Sequence, residues 1–176
     1  MAAIGWPVFT FSEMSLTKNF EAKEFFSRVN KGGPKQIPPP AKYAGNLQAL
    51  AINLQKIRDK VGPLIINSGY RTPTYNDKVK GVKNSQHLLA TAADVTSPTM
   101  TGPELHAVIL DMINKGEIHN GGLGKYRTFV HYDIRDQPAR WNATDPYDEE
   151  KGQKKKGIHL LLLTALGYLS YRFLKK

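Results

Sequence analysis

An α+β domain, a small antiparallel sheet with flanking helices, is the fold class the sequence predicts, and three observations predict it. Apolar residues recur at helical spacing in two segments, over 45–61 and over 103–115. Three short runs rich in strand formers, 64–67, 91–96 and 128–134, lie between and after them. This mixed order fills about 130 residues, the span of one small domain built from packed layers.

The elements follow in chain order. Residues 1–20 lack a basic stretch followed by an apolar run, so no cleavable signal peptide is expected. Residues 31–40, KGGPKQIPPP, read as a loop, because their prolines and glycines exclude a regular helix or a central strand. Leu47, Leu50, Ala51, Leu54, Ile57 and Val61 define the first helix, which Gly62 and Pro63 end. The strand at 64–67 exits into Ser68-Gly69-Tyr70-Arg71, and TAADVT at 91–96 reads as a second strand. PELHAVILDMINK follows as an amphipathic helix with proline in its first turn. Gly121-Gly122-Leu123-Gly124 reads as a turn, and TFVHYDI as the third strand.

Composition narrows the function. The 176 residues contain no cysteine, so disulfides, thiolate metal sites and a cysteine nucleophile are excluded, and any metal must be held by His, Asp or Glu. The net charge of +10 is concentrated at the C-terminal end, where residues 151–176 carry seven basic side chains and no acid. Residues 1–150 therefore hold only +3, too little for the clustered basic face that nucleic-acid binding needs, and no nucleic-acid partner is expected.

The chain divides into a main domain (1–141), a charged linker (142–157) and an apolar segment (158–174), IHLLLLTALGYLSYRFL, bounded by lysines. That segment is at the short limit for a membrane span of about 17–25 residues. It reads as a transmembrane or membrane-associated helix, the alternative being an apolar helix that docks on protein. The expected location is accordingly membrane-associated.

Chemistry concentrates in two of the strands. Alternation places His131 and Asp133 on one face of the last strand while Val130, Tyr132 and Ile134 face the core. Asp94 interrupts a small apolar strand, where a carboxylate is costly unless a cation meets it. His87, seven residues earlier, lies on a loop able to fold back toward it. Two imidazoles and one carboxylate leave a fourth position for water, the arrangement of a catalytic zinc site. Each residue alone also has an ordinary reading, as a loop histidine, a turn cap and a sheet histidine.

SQHLLATAAD (85–94) resembles the SxHxxGxAxD signature of the zinc peptidases that cleave bacterial cell-wall stem peptides. These form the D-alanyl-D-alanine carboxypeptidase and murein endopeptidase superfamily, which includes the hedgehog signalling fold. IINSGYRTPTYNDKVKG (65–81) is similar to that family's strand-plus-SGYR segment, and GGLGKYRTFVHYD (121–133) to its late glycine-rich turn and HxD strand. The three motifs stand in family order and span roughly 20–140.

The resemblance implies one zinc ion held by His87, Asp94 and His131, a carboxylate of the peptide gripped by Arg71, and Ser85 bonding near the metal. Tyr70 and Tyr126 are candidates for cleft walls or for packing. Two positions depart from the family. Ala90 stands where glycine is usual, which requires either a negative φ or strain. Thr128 stands where some branches carry a general base, three residues before the last ligand. Asp133 is then the candidate base or an orienting partner, with His119 a weaker alternative.

The activity implied is metal-assisted hydrolysis of amide bonds in peptidoglycan stem peptides or crosslinks, as carboxypeptidase or endopeptidase. A bacteriophage lysis or virion-associated enzyme fits the architecture, and a bacterial membrane-anchored enzyme is the alternative. A noncatalytic wall-binding or membrane-tethered module on the same fold is the competing function.

Overall fold

The structure, a computed structural model, describes residues 14–143. The expected linker, 142–157, begins inside a strand at Asn142, and its remainder from 144, with the apolar segment 158–174, lies outside the described residues. Among the described residues no helix is long and apolar enough to cross a membrane.

Two small hairpin-like pairs come first. β1 (Ser15–Thr17) pairs with β2 (Phe20–Glu21), and β3 (Ser27–Arg28) with β4 (Lys35–Ile37). The 31–40 segment therefore contains a short strand, which the sequence reading as pure loop missed; its prolines lie outside the three strand residues. α1 (Ala44–Val61) follows and buries the six apolar side chains its spacing predicts. After β5 (Ile65–Ser68) comes a short helix, α2 (Pro73–Lys78), absent from the expectations. It has local start signals, Thr72 as N-cap accepting from the Tyr75 amide and Pro73 in the first turn, but too few residues for a periodic pattern. A single 3-10 turn, Gln86–Leu89, leads into β6 (Ala92–Thr96).

α3 (Gly102–Asn114) opens with a capping box: the Thr101 hydroxyl accepts from the Glu104 amide while the Glu104 carboxylate accepts from the Thr101 amide at 2.8 Å. β7 (Gly122–Lys125), β8 (Val130–Asp133) and β9 (Ala139–Asn142) complete the chain's described part.

β5, β6, β8, β7 and β9 form one five-stranded sheet in that order. The first three pairings are antiparallel, but β7 and β9 run parallel. The sheet is therefore mixed rather than antiparallel throughout. The glycine-rich 121–124 segment is likewise a strand, not a turn: β7 lies between β8 and β9 and is buried at Gly122, Leu123 and Gly124.

The two faces of the sheet differ in kind. Leu123, Tyr132 and Ala93 stand side by side on one face, with Val130, Val95 and Ile66 in the next row. These side chains join Leu47, Leu50, Leu54 and Ile57 of α1 and Leu105, Ile109 and Met112 of α3 in one buried cluster. Each such aliphatic side chain contributes about 1.5–3 kcal/mol through burial. On the β5 edge, Lys35 donates to the Ile66 carbonyl and Arg58 to that of Leu64, so cations cover backbone acceptors that would otherwise invite another strand. The opposite face carries the polar residues.

Candidate metal centre

One row of cross-strand neighbours builds the site. Ser68 of β5 pairs with Asp94 of β6, Asp94 with His131 of β8, His131 with Gly124 of β7, and Gly124 with Trp141 of β9. Residues paired in this way point to the same face. The row two residues along is Ala92, Asp133, Gly122 and Ala139. Asp94, His131 and Asp133 are thus brought together by strand register alone.

His87 arrives from the 3-10 turn. Ser85 starts that turn, with its carbonyl accepting from the Leu88 amide, and the His87 carbonyl accepts from the Arg71 amide at 3.0 Å. Asn46 of α1 donates to the Leu89 carbonyl at 2.9 Å, which fixes the turn to the core helix. Ala90 ends it at φ 57°, ψ 27°, in the left-handed region. The departure from glycine is thus met by strain rather than by a change of turn. Ala90 is fully buried, so its methyl group offsets part of a cost of about 1–2 kcal/mol.

His87 Nε2, Asp94 Oδ1 and His131 Nδ1 converge. The separations are 3.3 Å between the two nitrogens, 3.3 Å from His87 to Asp94 and 2.9 Å from His131 to Asp94. Protons cannot account for all of these contacts. His87 Nδ1 lies 2.6 Å from the Gly69 carbonyl, which only accepts, so it carries that ring's proton. His131 Nε2 lies 3.0 Å from Asp133 Oδ2 and donates there. Once His131 Nδ1 gives up any proton it carries, each imidazole can offer one lone pair beside the Asp94 carboxylate, from atoms already clustered together. Donors bound at about 2.0–2.1 Å around a tetrahedral cation stand about 3.3 Å apart, so this donor set fits one zinc ion with a fourth position left over.

The remaining contacts fix those ligands. Arg71 donates Nη2 to Asp94 Oδ2 at 2.5 Å and Nε to the Ser68 hydroxyl at 2.9 Å, which leaves Oδ1 to the cluster. Burial pushes the Asp94 carboxyl up, but its interactions with the His87 and His131 imidazoles outweigh it and hold the group well below the usual carboxylate range.

Asp133 is fully buried and accepts from the Gly122 amide, from the Arg135 amide and guanidinium, and from His131. Burial raises its pKa, whereas the bonds from His131 and Arg135 lower it further, to well below the usual range. The His131–Asp133 pair is the carboxylate–histidine arrangement that orients a metal ligand and raises its basicity.

The glycines of the 121–124 segment have a steric reason. A Cβ on Gly122 would overlap the Asp133 carboxylate, and one on Gly124 would overlap the Trp141 indole. Glycine at alternate positions in a strand clears one face, and that period-two spacing is the signal the turn reading overlooked. Gly69 is required for a related reason, since a Cβ there would overlap the Phe25 backbone.

The other expected site residues sit elsewhere. Tyr70 is packed in the hydrophobic cluster with 6% of its surface exposed, and its amide donates to the Phe25 carbonyl. His119 is exposed, with its ring nitrogen on the Arg135 carbonyl and its own carbonyl accepting from the Tyr132 hydroxyl on the core side, so it is not drawn into the cluster. Thr128 is exposed and precedes β8. Tyr126 accepts from Trp141 Nε1 at 3.3 Å. Ser68, Trp141 and Arg135 are members of the site that sequence reasoning missed.

Protons and metal compete for His131 Nδ1. Burial lowers the pKa of this imidazole, but the bonds to Asp133 and Asp94 outweigh it and raise the pKa above its ordinary value. A proton on Nδ1 can therefore serve Asp94 in the metal-free chain even above pH 6.5, and metal binding must release it. Zinc affinity is expected to rise with pH through that raised value and to fall about tenfold per unit below it, where one proton is displaced. Chelator competition between pH 6 and 8 measures this; an affinity flat across the range would contradict it.

Residues 9–133 match the model of the Peptidase M15 family, a span that takes in β1 through β8 and the His87, Asp94 and His131 cluster. No curated protein matches the chain. With two imidazoles and a carboxylate converging on one point of a matched domain, the chain belongs to the Peptidase M15 family of zinc-dependent peptidases.

Proposed function

We propose that this protein hydrolyses amide bonds in peptidoglycan stem peptides or crosslinks, with one zinc ion held by His87, Asp94 and His131. The observation that carries the proposal is the convergence of His87 Nε2, Asp94 Oδ1 and His131 Nδ1 to within 3.3 Å of one another in a member of this family. When bound, zinc lowers the pKa of its water toward about 7 and polarises the scissile carbonyl.

The chain's own groups prepare that chemistry. Burial lowers the His87 pKa and keeps its Nε2 free of a proton, so this donor is ready at neutral pH. Asp133 holds the His131 ring in one tautomer and serves as an orienting partner. Arg71 keeps a positive charge beside the cluster, with 15% of its side chain exposed, and draws in a carboxylate of the stem peptide. Ser85, 8% exposed at the start of the turn that bears His87, is the neighbouring hydroxyl for the peptide.

A role in bacteriophage lysis or in a virion, and membrane attachment through residues 158–174, are proposals that rest on the sequence. Sedimentation with membranes by the full chain, lost on deletion of 158–176, is the outcome that attachment requires. The noncatalytic alternative draws on Thr128, which stands where a branch of the family places its base.

The deciding experiment is digestion of purified sacculi and muropeptides by the zinc-loaded full chain. New amino termini should form, disappear on chelation and return with added zinc. Stoichiometric zinc without cleavage of any wall fragment would favour the binding module.

A further inference from the structure

Strand β9 lies beyond the matched segment, yet it places an indole on a ligand imidazole. Trp141 packs against His131 with ring centroids 5.1 Å apart and planes inclined by 49°. We propose that Trp141 is a positioning residue for His131, so that the metal centre is completed by residues outside the family's matched segment. The inference rests on the zinc site described above.

Outside the cluster itself one hydrogen bond holds the His131 imidazole, because its Nδ1 contacts, to Asp94 at 2.9 Å and to His87 at 3.3 Å, are with the groups that would share the metal. The Asp133 bond sets the direction of the His131 Nε2–H vector, but the ring can still swing about it and carry Nδ1 away from the cluster. The tilted Trp141 indole opposes that swing from outside the cluster, as the His87 ring at 5.0 Å does from within it, and an aromatic pair offers about 0.5–1.5 kcal/mol for doing so.

Several features are arranged around the indole. Gly124, between His131 and Trp141 in the row, has no side chain, and a Cβ there would overlap the indole. Trp141 Nε1 donates to the Tyr126 hydroxyl at 3.3 Å, and the Tyr126 ring is stacked on Phe129 with centroids 4.1 Å apart. The Arg135 guanidinium that grips Asp133 also lies 5.7 Å from the Trp141 ring, so one cation braces two of the groups that touch His131. Trp141 itself is only half-buried and stands on the sheet edge, outside the hydrophobic cluster. Its main contact is with the site.

Zinc affinity of the full chain, measured by competition with a chromophoric chelator, tests the proposal. Trp141→Ala should bind zinc about tenfold more weakly, at the lower end of what loss of an outer partner costs. Its metal-free melting temperature should stay close to wild type, and Trp141→Phe should restore most of the affinity. Gly124→Ala should weaken binding in the wild-type background but add nothing to Trp141→Ala, because its methyl acts through the indole. Wild-type affinity in Trp141→Ala, or a Gly124→Ala loss undiminished in the double variant, would overturn the inference alone. A wild-type chain that binds no zinc would overturn it together with the proposed function.

Discussion

Asp94→Asn is expected to strip the zinc and abolish hydrolysis. The substitution keeps the side chain's volume and removes its charge, and three consequences follow from the contacts described. The cluster loses its only anionic donor, a larger change than the ~10–100-fold in affinity that outer partners supply. Arg71, with 15% of its side chain exposed, loses the carboxylate that its Nη2 holds. Breaking a buried pair by removing one member costs ~3–5 kcal/mol, and the residual exposure here argues for the lower end. The His131 Nδ1 also loses the negative charge of its partner at 2.9 Å. Metal analysis, denaturant unfolding and muropeptide turnover check the three effects separately. A variant that retains full zinc and wild-type turnover would mean that Asp94 is not a ligand.

Asp133→Asn separates two roles that the same carboxylate can play. If it orients His131, zinc affinity falls about 10–100-fold and turnover at saturating zinc changes little. If it is the general base, zinc affinity is kept and turnover drops by about 10²–10⁴. The geometry favours the first. Asp133 is fully buried, and its oxygens already accept from His131, Gly122 and Arg135. A group so occupied has no lone pair directed at the open metal position. The variant should also unfold more easily, since the Gly122 amide and the Arg135 guanidinium lose an anionic acceptor. Zinc titration beside turnover on one muropeptide gives both readouts.

The sequence carried the clustered residues more clearly than their supports. His131 and Asp133 were legible because strand alternation is local, and Asp94 because a lone carboxylate in TAADVT violates its surroundings. His87 needed the motif, since nothing local shows a loop folding back across Gly69. Helix α1 was legible from spacing alone. The supports depend on pairings between distant strands, which no local pattern encodes. Arg71 meets Asp94 through β5 and β6, and Trp141 reaches His131 through the parallel β7–β9 pair, so neither contact could be read from neighbours in the chain. The β7 strand was misread because its glycines, which suggest a turn, instead make room for Asp133 and Trp141. For Tyr70 the sequence left cleft wall and packing open, and its side chain lies in the core.

X-ray absorption spectroscopy of the zinc-loaded chain tests the central claim most directly. Two imidazoles and two oxygen donors, one from Asp94 and one from water, are predicted at about 2.0–2.2 Å around a single ion. His87→Ala should remove one imidazole signal together with most of the metal. A spectrum with no histidine scattering, or one unchanged in His87→Ala, would contradict the account.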